Sequence, residues 1–134
     1  MANSLTTQVL VDGPRNVTIK VNAIIDTSDV AAGTVLADPA LLSNVDEFKS
    51  KAKSLRIDRM DYVIKDGISA NLSWDGAPSF PILELAGRGN IDSKRYGGLQ
   101  NNAAFPTGKI TMSTTGFTTG NTYTITFIID LVKQ

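Results

Sequence analysis

Apolar residues recur at every second position through much of this chain, a period that predicts strands lying half in a core. Val9 and Val11 stand two apart before Asp12-Gly13-Pro14-Arg15-Asn16 interrupts the pattern. Val17, Ile19, Val21, Ala23 and Ile25 then alternate with residues that include Thr18, Lys20 and Asn22. A hairpin is expected here, with a five-residue loop pairing Val11 with Val17 and Val9 with Ile19 on one face. Residues 26–33 are small and polar and read as a loop, and Val35-Leu36 as a short edge strand.

One helix is expected, beginning after Ser43 as a cap. Asp46 and Glu47 fall in its first turn and Lys51 and Lys53 in its last, as the helix dipole favours, with Val45, Phe48 and Ala52 on one side. The next strand, Leu55 to Ile64, changes apolar phase between Ile57 and Met60, and a β-bulge near Asp58-Arg59 restores a common face. Ile68, Ala70, Leu72 and Trp74 alternate cleanly after it. A three-residue loop Lys65-Asp66-Gly67 would set Ile64 opposite Ile68, Tyr62 opposite Ala70 and Met60 opposite Leu72, with Gly67 left-handed.

Ile82, Leu83 and Leu85 predict another strand between Pro81 and Gly87, and Ile110 and Met112 a further one. Between them, residues 87–108 are rich in Gly and Asn and read as a long connection, a feature often functional or packed on itself. Phe117, between Gly116 and Gly120, is expected to plug one end of the core. In the last strand Tyr123, Ile125, Phe127, Ile129 and Leu131 form one face, while Ile128 and Val132 make the second half apolar on both faces. Such a strand is expected to be covered on its outer side by a second subunit. The fold class is therefore all-β: a single-domain antiparallel β-sandwich over residues 1–134, jelly-roll-like, with at most one short helix.

Composition then removes functions. The 134 residues carry 13 basic and 13 acidic side chains, which argues against a broad nucleic-acid or acidic-membrane footprint. Cysteine and histidine are both absent. Thiolate chemistry, the commonest general base and the commonest transition-metal ligand go with them. No enzyme activity, cofactor or metal is expected. Asp58, Arg59 and Asp61 read as a structural salt-bridge ladder in preference to a pair of catalytic acids. Asp26 with Asp29 lacks the dense oxygen spacing of a calcium loop. Gly87-Arg88-Gly89 and Tyr96-Gly97-Gly98 lack the strand and helix that frame a phosphate cradle. Trp74, Tyr62 and Tyr96 could stack on a sugar, but Trp74 is in phase with Ile68 and Leu72 and is expected in the core. Neither a basic, then apolar, leader nor an apolar run of membrane-spanning length is visible.

Several segments have a familiar form: Val11-Asp12-Gly13-Pro14-Arg15-Asn16, Leu55-Arg56-Ile57-Asp58-Arg59, Leu72-Ser73-Trp74-Asp75-Gly76, Tyr96-Gly97-Gly98-Leu99-Gln100-Asn101-Asn102, Gly108-Lys109-Ile110-Thr111 and Leu131-Val132-Lys133-Gln134. Over nearly the whole chain these resemble a family of small virion structural proteins of tailed bacteriophages, marine and cyanobacterial ones notably. The resemblance implies a jelly-roll or related sandwich made in the host cytoplasm that decorates or cements the capsid exterior. The major capsid protein would be its partner and a homotrimer the favoured assembly. The motifs are turns and strands, so no functional residues transfer by position. Candidate interface residues are Tyr96, Leu99, Gln100, Asn101 and Asn102 of the Gly/Asn-rich loop, which could equally fold onto its own sandwich, with Ile128 and Val132. A neck, tail or fibre-associated protein, and a glycan-binding module for host attachment, are the alternatives.

Overall fold

The alternating stretches become nine strands in the computed structural model, which describes residues 3–38, 55–94, 97–103, 105 and 107–133. They are β1 (Ser4–Asp12), β2 (Asn16–Ile25), β3 (Thr34–Ala37), β4 (Leu55–Ile64), β5 (Ser69–Trp74), β6 (Phe80–Leu85), β7 (Arg88–Asp92), β8 (Ile110–Thr115) and β9 (Tyr123–Lys133). Two antiparallel sheets face each other, one ordered β1-β2-β9-β4-β7 and the other β3-β8-β5-β6. The chain passes repeatedly between the sheets, as in a jelly roll. This is an all-β two-sheet sandwich, and no described residue lies in an α-helix. The helix expected after Ser43 lies outside the described residues.

The most strongly patterned strand, β9, occupies the middle of the five-stranded sheet. It pairs with β2 without a break from Asn16↔Val132 to Ile25↔Tyr123, and on its other side with β4. That register puts Val17, Ile19, Val21, Ala23 and Ile25 on the same inner face as Tyr123, Ile125, Phe127, Ile129 and Leu131, all buried. Ile68, Ala70, Leu72, Trp74, Ile110 and Met112 close over them from the other sheet. Burying each large apolar side chain contributes about 1.5–3 kcal/mol, so this double layer supplies the main drive to fold. Phe117 packs against the core from the end of the sandwich, its ring edge-on to Tyr123 at 5.7 Å and 66°. Hydrogen bonds from Asn121 and then Thr118 hold the Tyr123 phenol below its ordinary pKa.

The bulge in β4 falls between Ile57 and Arg59 against β9, and both Ile57 and Met60 are buried. Three expectations need correction. The first hairpin pairs Val9 with Ile19, but a bulge between Val9 and Val11 sets Val11 opposite Thr18 and Asp12 opposite Val17. The slip lets Asp12 face inward, where its carboxylate holds the fully buried Lys133 Nζ at 2.6 Å, beside the Gly13 carbonyl at 2.8 Å. β4 and β5 do not form a hairpin: β4 pairs with β7 and β9, and β5 with β6 and β8. Ile64 and Ile68 are both buried, but from facing sheets, and inward alternation is the same for strands side by side or face to face. Gly67 still takes a positive φ, 108°, because the crossover turns sharply there. Finally, the long connection contains β7, whose five residues Arg88-Gly89-Asn90-Ile91-Asp92 hold one large apolar side chain.

Candidate functional site

Two surfaces gather the side chains that sequence reasoning singled out. The first is the outer face of the five-stranded sheet. Alternation sends Ile128 of β9 outward, flanked by Lys20 of β2 and Asp61 of β4. Val63 of β4 stands opposite Thr126, and Ile24 of β2 opposite Thr124, so three adjacent strands present aliphatic groups among threonines. Ile24, Val63 and Ile128 are 45%, 51% and 37% exposed. Around this patch Thr126 donates to the Asn22 side chain at 3.2 Å, Thr18 donates to Asp130 at 2.9 Å, and Arg59 pairs with Asp61 at 3.5 Å. Val63 and Ile128 are diagonal neighbours, and Ile24 is set off from them by Asn22, Thr124 and Thr126. Exposed aliphatic groups among polar and charged neighbours have the composition of a protein-contact surface. Val132, the other outer-face candidate, is only 7% exposed and is buried within its own chain. The apolar second face at the end of β9 therefore does not offer Val132 to another subunit.

The second surface is built on the β4 bulge. Displaced from regular pairing, the Ile57 and Asp58 carbonyls accept hydrogen bonds from Ser93 Oγ at 2.8 and 3.0 Å, and the Asp58 carbonyl also from Ser93 N at 2.8 Å. Leu99 then lies antiparallel to Ile57, exchanging bonds of 2.7 and 3.1 Å, and continues the edge that β7 begins. Gly98 fits because its φ is +83° and a Cβ there would meet Asp58 Oδ1 at 2.8 Å and Arg56 Cδ at 2.9 Å. Arg56 and Asp58 pair at 3.1 Å beneath it.

Beyond Leu99, the Asn101 side chain is buried and accepts from Ala103 N at 3.0 Å, while Gln100 donates to the Gly97 carbonyl at 2.8 Å. Thr107 donates to the Asp75 carboxylate at 2.7 Å and anchors the far end of the loop. Leu99 is half-buried, Gln100 and Asn102 are exposed, and Tyr96 lies outside the described residues. Leu99, Gln100 and Asn102 line a shallow groove of about 290 Å³ with Trp74, Phe80, Pro81 and Ile82.

The structure thus joins Leu99, Gln100 and Asn102 in one groove and places Ile128 on a separate face. Sequence reasoning missed Ile24, Val63 and Phe105. The alternation of β2 and β4 could have flagged the first two as aliphatic residues in outward positions. Phe105, 83% exposed at a φ of 44°, is an isolated aromatic that no periodicity marks. Asp29, weighed as a cation ligand, accepts from Thr114 Oγ1 at 3.1 Å and Phe117 N at 3.0 Å, tying the loop after β2 to β8. Among the described residues no three acidic side chains cluster as a metal site would require. No described helix is long and apolar enough to cross a membrane.

No family model matches this chain, and no curated protein matches it. One solved structure, described as "CBM4 structure and function", is similar at 10% identity and a TM-score of 0.37, covering 97% of this chain and 94% of that one.

Proposed function

We propose that this β-sandwich is a virion structural protein that binds an assembled protein shell through the outer face of its five-stranded sheet. The observation that carries the reading is the set of exposed aliphatic side chains Ile24, Val63 and Ile128 on that face, interspersed with threonines and paired charges. Removing such side chains from water favours a protein partner by about 25 cal/mol per Å². The resemblance of the turn segments to phage decoration proteins supports a capsid as the partner. Binding the assembled shell more tightly than free subunits stabilises the shell by mass action.

Capsids purified from the same source as the chain provide the test. The double variant Val63→Lys with Ile128→Lys should bind them at least about ten-fold more weakly in co-sedimentation, because two desolvated charges replace apolar contact. Its circular dichroism should match the unmodified protein, since both positions face outward. Undiminished binding would reject this face.

A second reading, a glycan-binding module, draws on the groove beside Leu99. There the exposed Phe80 ring lies near the amides of Gln100 and Asn102, groups that can hydrogen-bond sugar hydroxyls. Against it, Trp74 is almost fully buried and cannot serve as a stacking platform. Specific hits on a glycan array, abolished by Phe80→Ala, would favour this reading over the first.

A further inference from the structure

A β-sandwich has open sheet edges, and natural proteins protect them with shortness, charge, proline or bulges. Among the described strands, three of the four sheet edges carry such features along their length, and β1 carries one only at its end, in the bulge after Val9. β3 has four residues, β6 contains Pro81 and Glu84, and β7 contains Arg88 and Asp92. β1 differs. Its nine residues hold no charge before Asp12 and no proline, and its register with β2 is unbroken from Ser4 to Val9. No described strand pairs with its outer edge. The edge is also held in place: Asn3 Oδ1 accepts from Asp26 N and Thr27 N, both at 3.0 Å, and Asn3 Nδ2 donates to the Ser28 carbonyl at 2.7 Å. At the other end Asp12 is tied to Lys133. A strand ordered beforehand loses little entropy on pairing.

The inner side of β1 is also only partly covered by described residues. Leu5, Thr7 and Val9 open onto a groove of about 360 Å³, shared with Ile19 and the short β3. Val9, Leu10 and Val11 are all exposed.

We infer that β1 pairs antiparallel with β1 of a second copy across a two-fold axis, joining two five-stranded sheets into one. Pairing that keeps inner residues beside inner residues, within the unbulged stretch from Asn3 to Val9, centres on Thr6. Thr6 then meets Thr6 of the other copy on the outer face, Leu5 meets Thr7 at the mouth of the groove, and Ser4 meets Gln8. No charged residue lies in the seam, so identical copies meet without like-charge repulsion. A seam of one strand pair lies at the small end of specific interfaces, below about 1,200 Å² in total, which points to micromolar dissociation. The inference stands apart from the proposed shell-binding face and survives or fails without it. It is a two-fold alternative to the homotrimer suggested by the resemblance and by the apolar end of β9.

Sedimentation equilibrium of the purified full chain should show two copies per particle, dissociating in the micromolar range. Thr6→Lys and Thr6→Glu should each weaken association at least about ten-fold, because like charges then face each other across the axis. Mixing the two variants in equal amounts should restore a dimer, since lysine now faces glutamate. Restoration would also show that both variants are folded. A monomer at about 100 µM, well above the dissociation range of even a small seam, would overturn the inference. So would a trimer, a Thr6→Lys protein that remains fully dimeric, or a mixture that stays monomeric.

Discussion

Replacing Trp74 with alanine is expected to lower stability by about 3–5 kcal/mol, the usual cost of deleting a buried aromatic. Trp74 ends β5, pairs with Ile110 on one side and Phe80 on the other, and is 1% exposed. Its indole fills the core where the Asp75–Thr107 and Asp75–Lys109 hydrogen bonds extend the β5–β8 ladder of one sheet. Truncation would leave a void the strands cannot collapse into, because both neighbours are fixed by their ladders. Urea unfolding followed by circular dichroism should show a lower midpoint with an unchanged slope. A loss below about 1 kcal/mol would mean that the ring is not part of the core.

The second large effect is expected at Gly116, where β8 ends. Its φ is +100°, and a Cβ built there would stand 2.6 Å from the Gly67 carbonyl oxygen and 3.4 Å from Ile68 Cα. Both obstacles are backbone, held by the turn between β4 and β5, so neither can rotate away. Gly116→Ala should cost about 2–4 kcal/mol, combining an unfavourable dihedral with a steric clash. Gly120→Ala is the control, because its φ is +92° and nothing lies within 4 Å of the added atom. It should cost only about 1–2 kcal/mol, the dihedral part alone. Equal losses at the two sites in thermal melts would show that the contact between the two loops is absent.

Both positions show what the sequence carried and where it fell silent. Trp74 was legible because its phase with Ile68 and Leu72 is a local property of one strand. The β4 bulge was legible for the same reason, since only an extra residue reconciles Ile57 with Met60. Which strands are neighbours is not local. Ile64 and Ile68 read as cross-strand partners but meet through the core from opposite sheets, and alternation contains nothing that separates the two arrangements. β7 escaped because an edge strand is held by backbone bonds to β4, which Gly89 and Asn90 make as well as any β-branched residue.

Of the candidate site, Leu99, Gln100 and Asn102 do share a groove, but the reason is the Ser93 contact with the β4 bulge, invisible in either segment alone. Val132 reads as outward from its phase, yet it is covered within the fold. Ile24 and Val63 sit in outward positions of well-read strands. That they share one outer face with Ile128 follows only from β9 lying between β2 and β4.

A reconstruction of the intact particle tests the shell-binding claim most directly. Density for this sandwich is expected on the capsid exterior, with Ile24, Val63 and Ile128 turned toward the shell and excluded from solvent. Particles whose shell carries no such density, or a sandwich bound with that face open to water, would contradict it.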